Sequence, residues 1–343
     1  MENSKISVVL IAIIVVAGAG LYFYSESAFQ GSSEVFVLHA GSLTKPFHEI
    51  NKRDNKVNLR LEDHGSVEVV RFISEGGRNP DVAAVSDYSL IGDFLISEEF
   101  TDWYIQFARN NVVLCYTDQS KYSEEIDNNN WYKILSKSDV KFGFGNPNAD
   151  PGGYRVMMVI QLAEIKYDNS QIFDDLIAAN TAMKAPEMDN GKYIIKAKTM
   201  DQLKPSSEVE VAVKEVAVIP KLETGSIDYM FNYRSIAKQH DFKYVKLPDQ
   251  INLSRVKHAD IYKKVGIKLT GGKVKMGKPI VYGITILNNA KNKGDAVDFL
   301  KYLLSEKGQK VLENMGQQPV SPPRTNNKDA LPQELQKIVK QVN

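Results

Sequence analysis

Glu34-Val35-Phe36-Val37-Leu38-His39-Ala40-Gly41-Ser42-Leu43 runs from an apolar strand into a glycine and a small hydroxyl residue. The next residues have a helical pattern: Leu43, Phe47 and Ile50 recur at i, i+4 and i+7, and Pro46 falls in the first turn, where it removes at most one helical bond. A strand-to-helix turn of this composition makes an anion cradle. Glycine lets backbone come close to a ligand. The serine either caps the helix or donates its O–H to an oxyanion. The helix end adds N–H groups and partial positive charge. Taken alone, the same residues also describe an ordinary N-capping serine.

The construction recurs at His64-Gly65-Ser66-Val67. It follows Val57 to Glu62, which alternates as a strand does, and precedes a helical stripe of Val67, Val70 and Ile73. In a parallel sheet, consecutive strand–helix junctions emerge at the carboxyl edge, where such sheets bind ligands. Two copies bring the crevice reading level with that of two unrelated capping serines.

Alternating strands and helices continue along the chain and predict an α/β fold with largely parallel sheets. Strands are expected at Asp81–Asp87, Asn111–Tyr116, Val140–Gly145, Val209–Val213, Tyr229–Tyr233 and Ile280–Leu287. Helices are expected at Tyr154–Ile165, with Met157, Met158, Ile160 and Leu162 in the core, and as one long element from Asp295 to Met315. Residues 324–343 read as polar and peripheral.

At 343 residues, 43% hydrophobic and 25% charged, the chain has room for two globular domains. A net charge of +1 and no basic run give no nucleic-acid footprint. Cys115 is the only cysteine, so no intrachain disulfide or cysteine-based metal site exists. It sits in an apolar run and reads as a buried, inert thiol. Residues 6–24 are nearly uninterrupted apolar sequence behind Lys5. Residues 1–28 are therefore expected to be a signal peptide or an N-terminal membrane anchor. Ala17-Gly18-Ala19 offers a cleavage site, while Leu21 to Tyr24 extends the run to membrane-spanning length. Residues 25–33 read as a polar tether. Without a lipobox cysteine, a cysteine-linked lipid is excluded.

A third turn of this type is Asn146-Pro147-Asn148-Ala149-Asp150-Pro151-Gly152-Gly153-Tyr154-Arg155. Pro151 suits the first helical position and Asp150 the N-cap. A ligand role for Asp150 meets a difficulty, because a desolvated carboxylate repels an anion. It makes sense only if the acid is protonated or bonds an electropositive centre.

These motifs identify a resemblance. Together with Asn79-Pro80-Asp81-Val82, Ser86-Asp87, Lys214-Glu215-Val216, Leu222-Glu223-Thr224-Gly225, Asp228-Tyr229, Tyr233-Arg234-Ser235 and Gly316-Gln317-Gln318-Pro319, they resemble the substrate-binding proteins of molybdate/tungstate ABC transporters, particularly the archaeal tungstate-binding type. The likeness runs from Val35 to Pro323. It implies a type II periplasmic-binding-protein fold, two α/β lobes with a ligand cleft between them. Crossovers are expected near Cys115 and Tyr282, with one lobe at residues 35–114 plus 282–343 and the other at 115–281. It implies oxyanion contacts from Gly41, Ser42 and Ser66 in the first lobe. From the second come Asp150 with Pro151 and Gly152, Glu215 and Tyr233. Asp150 and Glu215 would bond tungsten or molybdenum, which accept two carboxylate oxygens beyond four oxo ligands; sulfur in sulfate does not. Glu223, beside the helix-stopping Gly225, is the competing second acid. Pro220 is expected to kink or split the segment after Glu215. From the sequence alone, Tyr233 is equally a half-buried aromatic with its hydroxyl at the rim.

The resemblance also implies an exported monomer without cofactor, held at the outer face of the membrane or secreted, that delivers tungstate or molybdate to an ABC permease. Sulfate, thiosulfate or phosphate in the same fold is the alternative. The five histidines (39, 48, 64, 240, 258) form no i, i+4 pair and no zinc motif. An enzyme using Ser42 with His39 or His64 lacks a GxSxG elbow and a supporting acid. Trp103 and Trp131 read as packing residues.

Overall fold

The computed structural model describes residues 34–54 and 56–342, without the side chain of Glu215. The expected signal or anchor segment and its tether lie outside the described residues. Among those described, no helix is long and apolar enough to cross a membrane.

The strands in chain order are β1 (Glu34–Ala40), β2 (Asn58–His64), β3 (Val82–Val85), β4 (Ile105–Arg109), β5 (Val112–Tyr116), β6 (Phe142–Gly145), β7 (Glu187–Asp189) and β8 (Lys192–Lys196). They continue as β9 (Val209–Ala212), β10 (Tyr229–Tyr233), β11 (Lys243–Val245), β12 (Val265–Lys268), β13 (Val274–Met276), β14 (Val281–Ile286), β15 (Gln318–Thr325) and β16 (Lys340–Gln341). Three sheets result. The first is seven-stranded, in the order β16-β15-β4-β14-β3-β1-β2, and the second five-stranded, in the order β11-β5-β10-β6-β9. A small sheet, β13-β12-β8-β7, flanks the second. It was not anticipated from sequence, because its strands are short and rich in exposed charge.

Strand alternation builds the core of the first lobe. Val35 and Val37 face one side of the sheet with Phe47, Phe299 and Leu300. Phe36 and Leu38 face the other with Val69, Val70 and Ile73. The second lobe has its own core, centred on the helix Pro151–Tyr167 with Met157, Met158, Ile160 and Leu162 buried, as expected. Trp103 and Trp131 are packed inside. Cys115 is fully buried in β5, where burial pushes its thiol pKa up.

Three expectations need correction. The boundary placed after residue 114 falls inside β5, and that before residue 282 falls inside β14. The sheets change at Asn110–Asn111, because Val112–Leu114 pair with β10 and β11 rather than with β14. The single helix expected from Asp295 to Met315 is two, Lys293–Leu304 and Glu306–Asn314. Ser305 takes an extended ψ of 165° and caps the second, its Oγ accepting from Gly308 N at 3.3 Å. The tail is not merely peripheral: Leu331, Leu335 and Val339 are buried and β16 pairs with β15.

Asn110, fully buried at the crossover, ties the two parts together. Its Nδ2 donates to Ser235 Oγ (2.8 Å) and to Tyr282 Oη (3.0 Å), and its Oδ1 accepts from Asn111 N (3.0 Å). Gly316, at φ +89°, lies so close to the second part that a Cβ would stand 2.7 Å from Ser235 Cα. Only glycine fits there.

Candidate functional site

Strand direction collects the candidate residues. β1, β2 and β3 run parallel, with Ala40 opposite His64 and His39 opposite Ala84. Ser42, Ser66 and Ser86 therefore all leave the carboxyl edge of the first sheet. In the second sheet β6 is parallel to both β9 and β10. Asp150, Glu215 and Tyr233 follow or end these strands at its carboxyl edge.

Neither Gly-Ser serine acts as a helix cap. Gly41–Leu43 is a turn of 3-10 helix with no side-chain cap. Gly65 occupies the second N-cap, and Glu68 reaches back to its N–H at 2.9 Å. Gly41 is exposed; Ser42 and Ser66 are placed by other bonds. Asn110 Nδ2 can only donate, so Tyr282 Oη accepts from it and donates to Ser42 Oγ at 3.0 Å. This relay aims the Ser42 proton away from the crossover. The buried Gln317 holds the Ser42 carbonyl through its Nε2 at 2.8 Å, and Gln318 Nε2 donates to Asn111 Oδ1 at 3.0 Å. The Gly316-Gln317-Gln318-Pro319 run is thus a brace for Ser42 and the crossover. Ser66 Oγ accepts from Ser86 N (3.0 Å) and bonds Ser86 Oγ (2.8 Å).

On the second edge Asp150 is buried and is the N-cap of the Pro151–Tyr167 helix. Its Oδ1 accepts from Gly152 N at 3.2 Å and its Oδ2 from Gly153 N at 3.0 Å. Pro151 takes the first helical position, as expected. Gly153 is pressed against the end of β6, where a Cβ would meet Gly145 O at 2.1 Å. Glu215 opens a 3-10 helix, Glu215–Val218, and Ile219–Glu223 continues as α-helix with Pro220 in its first turn, so the expected break occurs. The Glu215 side chain lies outside the described residues. Glu223 is exposed and paired with His240 at 3.2 Å.

Tyr233 is buried and accepts from Arg155 Nη1 at 2.7 Å. Sequence reasoning gave Arg155 no role, yet it is only 5% exposed and is a buried cation of this region. Burial opposes its charge, but Tyr233, Tyr154 and Asp87 outweigh burial and hold its pKa above the ordinary value. Asp87 comes from the first edge. Burial pushes its carboxyl up, while Lys278, at 2.7 Å, and Arg155 hold it below the usual range. Asp87 and Arg155, from the two edges, thus each favour the charged form of the other. Ser86, Tyr282, Asn110 and Gln317 were also missed as site residues, since their roles depend on crossover geometry.

No histidine belongs to a metal-type cluster among the described residues. His39 is buried, and burial lowers its pKa; its Nδ1 lies 3.0 Å from Ala40 O. His64 Nε2 lies 2.9 Å from Glu62. The hydroxyl beside Ser42 is Tyr282, so the hydrolase reading has no base in place.

Two mixed sheets joined at Asn110–Asn111 have the type II architecture of periplasmic solute-binding proteins. The chain belongs to the bacterial extracellular solute-binding proteins, which it matches over residues 35–318. It is 41% identical over 317 residues to an uncharacterized solute-binding protein of Staphylothermus marinus, covering 90% of this chain and 89% of that one. It is 40% identical over 306 residues to the molybdate/tungstate-binding protein WtpA of Pyrococcus abyssi, covering 86% and 87%. A substrate-binding domain of a putative molybdenum ABC transporter from Clostridium difficile shares the fold, with a TM-score of 0.54 at 18% identity over 84% of this chain and 99% of that one. The periplasmic molybdate-binding protein of Azotobacter vinelandii does so too, at 0.54 and 15% over 82% and 98%. As a member of that family the protein is an extracytoplasmic solute-binding component rather than an enzyme.

Proposed function

We propose that this chain captures tungstate or molybdate between its two lobes and delivers it to an ABC permease. The reading rests above all on the composition of the opposed edges. Hydroxyls of Ser42 and Ser66 with the Gly41 backbone stand on one side. Asp150, with the Pro151–Gly152 backbone, Glu215 and Tyr233 follow strands on the other. Hydroxyl donors suit the oxo groups of any tetrahedral oxyanion. Carboxylates suit only a centre that takes further oxygen ligands, as hexavalent tungsten and molybdenum do. Asp150 and Glu215 are therefore the metal ligands of the bound oxyanion. The Pyrococcus relative, 40% identical over most of both chains, supports the same ligand.

The lobes on this reading are residues 34–110 with 281–342, and 111–280, hinged at Asn110–Asn111 and at 280–281. The protein works as a monomer, and residues 1–28 hold it at the outer face of the membrane or are removed on export. Sulfate, thiosulfate or phosphate is the second reading, favoured by the buried Arg155 cation, which would suit any oxyanion.

Isothermal titration of the chain with tungstate, molybdate, sulfate and phosphate separates the two. Tungstate or molybdate should bind at least about a hundredfold more tightly than sulfate, about 2.8 kcal/mol. Equal or tighter sulfate binding overturns the proposal.

A further inference from the structure

A second concavity lies behind the crossover strands. Its volume is about 440 Å³, in the range of small-molecule sites, and strands of the first sheet and the segment 249–257 of the second lobe line it. Gln106, Arg109 and Arg324 come from β4 and β15, while Asp249, Arg255 and Lys257 come from the second lobe. It does not open into the cleft. Val281 pairs with Arg109 and both line this concavity, whereas the next residue, Tyr282, reaches Ser42. Successive strand residues point to opposite faces.

The charge balance of this concavity is uneven. Four cations surround it, and Asp249 is its sole acid among the described lining residues. Asp249 is already engaged by Arg255, Nε to Oδ2 at 2.9 Å. Arg109 has no carboxylate partner among the described residues. Its Nη2 reaches only the Pro319 carbonyl at 3.4 Å, and its buried Nε has no acceptor there. Burial, then Arg255 and Arg324, destabilise its charged form, and Asp249 offsets them only in part. Like charges lining one concavity are held together at a cost that an anion between them relieves. A guanidinium fork binds the oxygens of a phosphoryl group two at a time.

We propose that this concavity is a second anion site, distinct from the cleft, that takes a small phosphoryl anion carrying about two negative charges. Free phosphate and a phosphate monoester share that chemistry. Because the site draws on both lobes, its occupant contacts residues that move relative to each other when the cleft closes.

The test is calorimetric, on the full chain in detergent with the cleft saturated by tungstate. Inorganic phosphate and glycerol 3-phosphate are titrated separately. Saturable binding of about one equivalent of either is expected, and the arm that binds more tightly identifies free or esterified phosphate as the source. Arg109→Gln with Arg324→Gln should weaken that binding about tenfold or more. Arg324→Gln and Lys257→Gln, each alone at exposed positions, should weaken it in a chain whose thermal unfolding is unchanged. Ser42→Ala with Ser66→Ala, titrated without tungstate, should leave it intact. No saturable binding of either ligand overturns the proposal, as does binding that survives the arginine changes. Binding lost in the serine variant instead assigns the anion to the cleft and also overturns it. The serine arm keeps the outcome independent of whether tungstate is the cleft ligand.

Discussion

Asp150 has an observed duty and a proposed one, and one residue type can separate them. As an N-cap it accepts from Gly152 and Gly153; as a metal ligand it would give an oxygen to tungsten. Asparagine is as good an N-cap as aspartate but carries no charge. Asp150→Asn with Glu215→Gln keeps only one of the two cap acceptors, so apo stability should fall by no more than about 1 kcal/mol, while most tungstate affinity is lost and any weak sulfate binding is unchanged or improved. Normal tungstate affinity in a titration would refute coordination. The serines predict differently. Ser42→Ala and Ser66→Ala should each cost about 1.5–3 kcal/mol of binding, the range for a hydrogen bond to a charged group. Neither caps its helix, but Ser66 accepts from Ser86 N and Ser42 from Tyr282 Oη, so apo unfolding in denaturant should shift by about 1 kcal/mol for each, less than the loss in binding. Binding losses that only track unfolding would remove the direct-contact claim. The Gly-Ser pairs and Asp150 were legible because local sequence determines a turn. Arg155, Ser86 and Tyr282 were not, because their partners are 78, 20 and 240 positions away in the chain.

At the scale of elements, the junction between β6 and the helix Pro151–Tyr167 is the tightest fit near the site. The helix starts where β6 ends, and Gly153 touches Gly145 and Asn146 backbone so closely that no side chain fits. Gly153→Ala should destabilise the apo protein by about 1–3 kcal/mol, the ordinary range for overpacking, and should weaken ligand binding as Asp150 is displaced. Chemical denaturation and titration of the same sample check both. A variant with wild-type stability would show that the helix can shift freely. Strands with clear alternation or continuous apolar runs, such as β1, β5 and β14, were readable from the sequence. The break at Ser305 was not, because apolar spacing continues across it and only the extended ψ of one serine ends the first helix. The β7–β8 and β12–β13 strands escaped because they are three to five residues long and each carries charge, although Ile195, Val265 and Ile267 anchor β8 and β12 in the core of the second lobe.

The whole molecule is joined by a small set of polar contacts. Besides Asn110, Lys278 reaches Asp87 at 2.7 Å, Lys45 Nζ donates to Gln239 O at 2.9 Å and Gln239 Nε2 to Met315 O at 3.2 Å. Contacts of this kind break and reform at modest cost, whereas the lobe cores stay intact, which is the arrangement hinge motion requires. A ligand held by both edges should shift the population toward the closed form, with a smaller radius of gyration in solution scattering. Identical curves with and without saturating tungstate would contradict closure. The lone Cys115 offers an independent view of the same coupling. Sealed in the middle of β5 with its thiol held protonated, it reacts with a disulfide reagent only when the five-stranded sheet comes apart. Each modified molecule then records one opening, and labelling becomes a stopwatch built into the native chain. A ligand bound only by the intact protein should slow that stopwatch in proportion to its concentration above the dissociation constant.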